Sequence, residues 1–325
     1  MELLPETWNL IGRYGGAGIA LGLGGIGAAI GMGMSAAAAN DSIMVQPERQ
    51  GTLLRTMLIG QAVGGSPSIF ALVIGLLILF LPVSAATSGP LFAAAMIGAG
   101  LSIGLGCLGS GVGCGWPAAA ACEGVARNPR RATAITSSMI IGQAVAQSPS
   151  IFATVIALIL LFMPVSGTGL AAIAITVGAG LSMGASALGP GLGSGTTAGG
   201  AVRGLSAWPG SQAVTIRTML IGQAVCQTPA IFGMLVAFIM LFSLGDMKGD
   251  IIDFAKIAGA AIAVGFGGIG PGIGCGIVGD TSCEATAIHP EQDALQLRTM
   301  LIGQAVSQST AIYALIVALV LLFVV

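Results

Sequence analysis

Inside otherwise apolar stretches of this 325-residue chain, a small set of uncharged polar side chains recurs at fixed places. Gln61, Gln143, Gln223 and Gln304 each stand second in a phrase that returns in every quarter of the sequence: GQAVGGSPSIF from Gly60, GQAVAQSPSIF from Gly142, GQAVCQTPAIF from Gly222 and GQAVSQSTAIY from Gly303. Four residues further on come Gly65, Gln147, Gln227 and Gln308, followed directly by Ser66, Ser148, Thr228 and Ser309. A spacing of four puts both positions on one helical face, a turn apart. Amides and hydroxyls can donate and accept hydrogen bonds, but they do not take up charge. Two chemistries fit. One is a neutral ion cage of glutamine oxygens completed by a backbone carbonyl that Pro67, Pro149 or Pro229 frees. The other is a hydrogen-bonded cluster that fixes helix register. A cation would find no compensating negative charge there, which favours the register cluster.

Other chemistries have less support. The six cysteines, Cys107, Cys114, Cys122, Cys226, Cys275 and Cys283, form no CxxC pair and lie mostly in apolar segments, where cysteine acts as a small hydrophobe. His289 is the only histidine and precedes Pro290, so a metal centre is not expected. The glycine-rich stretches are not followed by GK[ST], which excludes a phosphate loop. With a net charge of −1 and no basic cluster, the chain lacks the footprint of a nucleic-acid binder. All twelve acidic residues are read as lying in the termini, turns or links.

The elements that position the amides follow from composition. Hydrophobic residues make up 55% and charged residues 7%, a membrane composition. The phrase recurs with periods of 82, 80 and 81 residues, dividing the chain into four tandem units, 1–85, 86–167, 168–247 and 248–325. Each unit reads as two transmembrane helices. The first is a glycine ladder, for example Gly104, Gly106, Gly109, Gly111, Gly113 and Gly115, which lets neighbouring helices approach closely. The second is rich in Leu, Ile, Val and Phe and should face lipid. A polar turn marked by Pro47, Pro129, Pro209 or Pro290 joins the two. The N-terminus lacks a basic segment and cleavage site, so the first helix is read as mature protein. Eight of the 11 basic residues fall on the side of the turns. The positive-inside rule then predicts cytoplasmic turns and both termini outside.

With GPGIGCG at Gly270 to Gly276, the Pro290-Glu291 turn and GQAVSQSTAIYALIVALVLLF from Gly303, unit four resembles the proteolipid c subunit of rotary ATP synthases. Unit two resembles it through GSGVGCG and Cys122-Glu123-Gly124-Val125-Ala126-Arg127-Asn128-Pro129. The likeness extends to all four units, because the turn proline always stands fifteen residues after Met32, Cys114, Ser194 or Cys275. The resemblance implies an all-α membrane protein of four fused hairpins, eight helices in all, without a catalytic site or cofactor of its own. It implies assembly with further copies into a ring that encloses lipid, in a bacterial inner membrane, with other subunits of a membrane complex as partners.

The resemblance also places an ion-carrying carboxylate where this chain has Gly65, Gln147, Gln227 and Gln308, and a sodium ligand on the first helix where it has Met32, Cys114, Ser194 and Cys275. No acid stands at the former slots and no glutamine at the latter. Gln61, Gln143, Gln223 and Gln304, with Ser66, Ser148, Thr228 and Ser309, are what remains of the pattern. Asp41, Glu123 and Glu284 hold the acid slot near the turn, and unit three has Arg203 there. The expected function is a ring subunit that serves as scaffold, anchor or hetero-ring component. A rotor that translocates protons or sodium with atypical ligands is the alternative. A self-contained channel or transporter is a third reading, disfavoured because the repeats share one orientation.

Overall fold

The computed structural model describes residues 5–82, 89–163, 169–243 and 250–324. The expected unit boundaries, at 85/86, 167/168 and 247/248, all lie outside the described residues. Among the described residues, eight helices are long and apolar enough to cross a membrane: α1 (Pro5–Val45), α2 (Pro47–Phe80), α3 (Pro90–Arg127), α4 (Pro129–Phe162), α5 (Gly169–Ala207), α6 (Pro209–Phe242), α7 (Ile251–Ile288) and α8 (Pro290–Phe323). α2, α4, α6 and α8 each begin with a single 3₁₀ turn at the predicted turn proline. A helix of 41 residues such as α1 is about 60 Å long, roughly twice the hydrocarbon thickness, so the turn ends extend well beyond the apolar layer.

Glycine-rich segments become helical here because hydrocarbon offers the backbone no hydrogen-bond partner except itself. Among the described residues only Gly89 and Gly169 have positive φ, so the ladder glycines serve close approach rather than turning. α1, α3, α5 and α7 pack in that order as a continuous row. A Cβ built on Gly31 would lie 2.1 Å from Gly111 O, one on Gly113 2.1 Å from Gly191 O, and one on Gly193 2.0 Å from Gly272 O. Backbone meets backbone at each step of the row, at distances no side chain would allow.

The second helices form an outer layer: α2, α4 and α6 are each seated against the first helix of their own unit and that of the following unit, while α8 is seated on α7 of its own unit and touches α6. Gly60 of α2, for instance, lies on Ala118 of α3, and Gly142 of α4 lies on Ala198 of α5. Their other face is an open apolar stripe: Ile69, Val73, Leu76 and Phe80 on α2, and Ile151, Val155 and Phe162 on α4. That is the surface expected to meet lipid.

Three of the four second helices are interrupted at mid-length. α2 is made of Gln50–Gly64 and Ser66–Phe80, α4 of Ala132–Ala146 and Ser148–Phe162, and α6 of Gln212–Cys226 and Thr228–Ser243. The breaks fall on Gly65, Gln147 and Gln227, two residues before Pro67, Pro149 and Pro229. Thr310 replaces the proline in α8, and the helix runs unbroken from Asp293 to Phe323. The cause is local: proline has no N–H to give to the carbonyl four residues earlier, and its ring pushes that carbonyl aside.

One expectation needs correction. Asp41 of α1, Glu123 of α3 and Asp280 and Glu284 of α7 lie within helices, not in a terminus, turn or link, and of these Asp280 stands furthest from the turn, its side chain 29% exposed. It is held there by Arg203 of α5, which pairs with both Asp280 and Glu284. Asp280 stands five residues beyond Cys275, toward the turn end of the helix.

Candidate functional site: an amide ladder across the hairpins

The recurrent glutamines bind backbone, not one another. Gln143 Nε2 donates to Cys114 O of its own unit at 3.0 Å and to Gly60 O of the preceding unit at 2.9 Å. Gln223 Nε2 does the same with Ser194 O and Gly142 O, both at 2.9 Å. Gln304 Nε2 reaches Cys275 O at 3.0 Å and Gly222 O at 3.2 Å. The two carbonyls facing each amide require its NH₂ on that side, which sets the orientation. Each of the three therefore ties the two helices of its unit together and ties the unit to the one before it. Gln61 makes the bond within its unit, to Met32 O at 3.1 Å. The Oε1 atoms of Gln143, Gln223 and Gln304 are buried without a donor.

One turn further on, Gln147 Nε2 donates to Val63 O at 2.8 Å and Gln227 Nε2 to Val145 O at 3.0 Å, while Gln308 Nε2 donates to Val225 O. Val63, Val145 and Val225 are the residues four before Pro67, Pro149 and Pro229. Each of these three freed carbonyls is thus taken by the glutamine of the following unit. A bare carbonyl in hydrocarbon costs several kcal/mol by transfer estimates, and the bond removes that cost. Gln147 and Gln227 are 8% and 9% exposed, so water does not substitute for it.

The helix-one slots also fit this arrangement. Their carbonyls are the acceptors just described, while their side chains fill volume. A Cβ built on Gly65 would lie 3.6 Å from Met32 Sδ, so the long methionine occupies space beside the small residue. Cys114 and Cys275 stand in the units that carry Gln147 and Gln308, and their thiols lie 3.7 Å and 3.5 Å from Gln143 O and Gln304 O. Ser194 Oγ is buried without a hydrogen-bond partner. Of the residues after the carrier slot, Thr228 and Ser309 turn back onto their own helices, donating to Val225 O at 3.0 Å and Val306 O at 2.7 Å. Ser66 and Ser148 have no comparable side-chain bond among those described.

Two features were not found by reading residues in order. The pairing of each freed carbonyl with the next unit's glutamine could have been found by setting the four phrases side by side, since proline occurs in units one to three and glutamine in units two to four. The Arg203, Asp280 and Glu284 cluster could have been found by noticing that Arg203 replaces an acid where the next unit has an extra one.

Residues 15–78, 97–160, 177–240 and 258–321 each match the ATP synthase C-subunit family. The chain belongs to that family. The four matches together cover more than half of the sequence, and each spans one pair of helices, α1–α2, α3–α4, α5–α6 and α7–α8. Among curated proteins, the chain is 46% identical over 80 residues to an ATP synthase c subunit of Petrotoga mobilis, an alignment covering 25% of this chain and 83% of that protein. It is 47% identical over 74 residues to the corresponding protein of Alkaliphilus oremlandii, covering 23% and 83%. An A-type ATP synthase K subunit of Methanocaldococcus jannaschii is 29% identical over 234 residues, covering 70% of this chain and 94% of that protein. Together with the eight spans, the family makes this a multi-pass membrane protein built of four fused hairpins of the c-subunit type.

Proposed function

We propose that the chain is a ring-forming membrane subunit, related to the ring of rotary ATP synthases, that does not itself carry ions. The observation that bears most on this reading is the hydrogen bonding of Gln147, Gln227 and Gln308 to backbone carbonyls of the preceding unit. A carrier group must alternate between a neutral and a charged state, and an amide cannot. The carbonyl oxygens that would have to complete a cage are already occupied by amide N–H groups, which supports the register role over the ion cage. The subunit then acts as scaffold, anchor or hetero-ring component beside other subunits of a membrane complex. It would have no catalytic chemistry of its own, and lipid would fill the ring. The basic residues on the turn side support cytoplasmic turns in a bacterial inner membrane.

The test is ion flux and carboxyl chemistry. Reconstituted rings should pass neither protons nor sodium, and carbodiimides should modify no mid-membrane group. Gln147→Glu should create such a group. A protonated carboxyl can still donate its O–H to Val63 O, whereas a carboxylate would face that carbonyl with like charge, so the acid should be held neutral and reactive. Flux in the wild type that depended on residues 65, 147, 227 or 308 would overturn the reading.

A further inference from the structure

The three junctions between units inside the chain share one construction, and both exposed ends of the row carry its halves. Glycines at equivalent ladder positions, Gly100, Gly104 and Gly115 in unit two and Gly180, Gly184 and Gly195 in unit three, press on the backbone of the preceding unit. Their counterparts in unit one, Gly18, Gly22 and Gly33, have nothing within 4 Å. On the opposite side, Gly27, Gly109 and Gly189 meet the backbone of the following unit, whereas their counterpart in unit four, Gly270, again has nothing within 4 Å. Gln61 has one N–H bonded to Met32 O and, among the described residues, lacks the second bond that Gln143, Gln223 and Gln304 make to the preceding unit's glycine carbonyl.

The upper rung of the ladder is absent at the same ends, and both of its halves are absent together. Unit one has Gly65 in place of the donating glutamine, and unit four has Thr310 in place of the carbonyl-freeing proline. Val306 O therefore remains within the continuous helix of α8. A neighbour with no donor needs a neighbour with no freed acceptor. Unit one and unit four satisfy that condition for each other. A hairpin with proline at this position placed before unit one would leave a bare carbonyl opposite Gly65.

We infer that unit four of one copy docks directly against unit one of a second copy of this chain, with Gln61 bonded to the second copy's Gly303 carbonyl and without the upper amide rung. This rests on the ring reading above and adds which faces meet, in what register, and that nothing is interposed. The between-copy junction is then the only kind of junction without the glutamine-to-freed-carbonyl bond, so rings should part there first.

The test uses the full chain with its six cysteines replaced. At the junction of units three and four, Arg217 of α6 pairs with Asp293 of α8, and the equivalent positions across the proposed contact are Arg298 and Gln50. The variant Gln50→Cys with Arg298→Cys should be joined by a short bismaleimide into multimers of the chain, while Arg217→Cys with Asp293→Cys links only within a chain. Native mass spectrometry of the ring should give an integral multiple of one chain mass. In a second arm, Thr310→Pro with Ser309→Ala, which removes both the backbone donor and the hydroxyl donor to Val306 O, should lower the ratio of ring to free chain about tenfold per junction, by leaving that carbonyl bare. Adding Gly65→Gln with Met32→Cys, which copies the residues of unit two, should restore it. A ring in which the cysteines introduced at positions 50 and 298 do not link although the control pair does, a ring mass that includes another hairpin subunit, or a Thr310→Pro defect that the added pair leaves unchanged would each overturn the docking. Finding no ring under any condition would overturn the ring reading beneath it as well.

Discussion

The bond from Gln227 to Val145 O can be tested apart from assembly, because both residues belong to one chain. Gln227→Leu keeps most of the side-chain volume and removes the donor, leaving the carbonyl that Pro149 frees without a partner in a site that Gln227 itself fills to 9% exposure. Interhelical hydrogen bonds in membranes contribute about 0.6 kcal/mol on average and up to about 1.7, while an unsatisfied buried acceptor costs about 1–3 kcal/mol. The 3.0 Å geometry and the shielding from water put this bond at the upper end, about 1.5 kcal/mol. Pro149→Ala approaches the same carbonyl from the other side by supplying the missing N–H four residues along, so that Val145 O is bonded within α4. In that background Gln227 has lost its acceptor and its removal should matter little.

A double-mutant cycle of Gln227→Leu and Pro149→Ala, followed by reversible unfolding of the single chain in detergent, should therefore show coupling of about 1 kcal/mol or more, with the double variant closer to wild type than Gln227→Leu alone. The pair Gln147 with Pro67 should behave alike, because its geometry repeats, while Gln308 with Pro229 should show less coupling, since Thr228 also donates to Val225 O. Coupling below about 0.3 kcal/mol at both Gln227 with Pro149 and Gln147 with Pro67, within the ordinary error of additivity, would refute the claim that the amides compensate for the prolines.

Other expectations can be checked on the same material. Gly113→Ala should destabilise the chain by about 1–3 kcal/mol, since its Cβ would lie 2.1 Å from Gly191 O. Gly25→Ala, with nothing within 4 Å, should be neutral or stabilising by up to about 1 kcal/mol on helix propensity, and equal effects at the two sites by thermal unfolding would contradict the close-approach account. Arg203→Leu should cost about 1–2 kcal/mol in denaturant unfolding, a value below that of a fully buried pair because the three side chains are 29–40% exposed. The cost should shrink when Asp280→Asn is added, because the uncompensated acid is then gone. In a cysteine-free background, a cysteine beside Pro129 should be shielded from an impermeant thiol reagent in intact cells and one at Thr168 should react; the reverse pattern would invert the assigned topology.

What could be read from the residues and what could not divides along a physical line. The ladder was legible because a glycine whose Cβ would strike a neighbouring backbone leaves a mark at its own position, four times over. The helix breaks were legible for the same reason, since Pro67, Pro149 and Pro229 each act on a carbonyl of their own helix. What reading in order could not supply was the partner of that carbonyl, because the donor belongs to the next unit, and which of its residues comes level depends on the stagger of two helices separated in the chain by a link, a whole first helix and a turn. The pairing of Arg203 with Asp280 could not be read for the same reason: it spans two units, and neither residue alone distinguishes a partly buried ion pair from an interfacial charge. Gly65 and Thr310 are the sharpest case. Read singly, each is a lapse in a repeat. Once the donor of unit n is known to serve the carbonyl of unit n−1, they become two sides of a single missing contact whose other units lie at opposite ends of the chain. A repeat protein in which every internal junction carries a bond, and in which only the two end faces lack complementary halves of it, has a composition at its ends that matches itself.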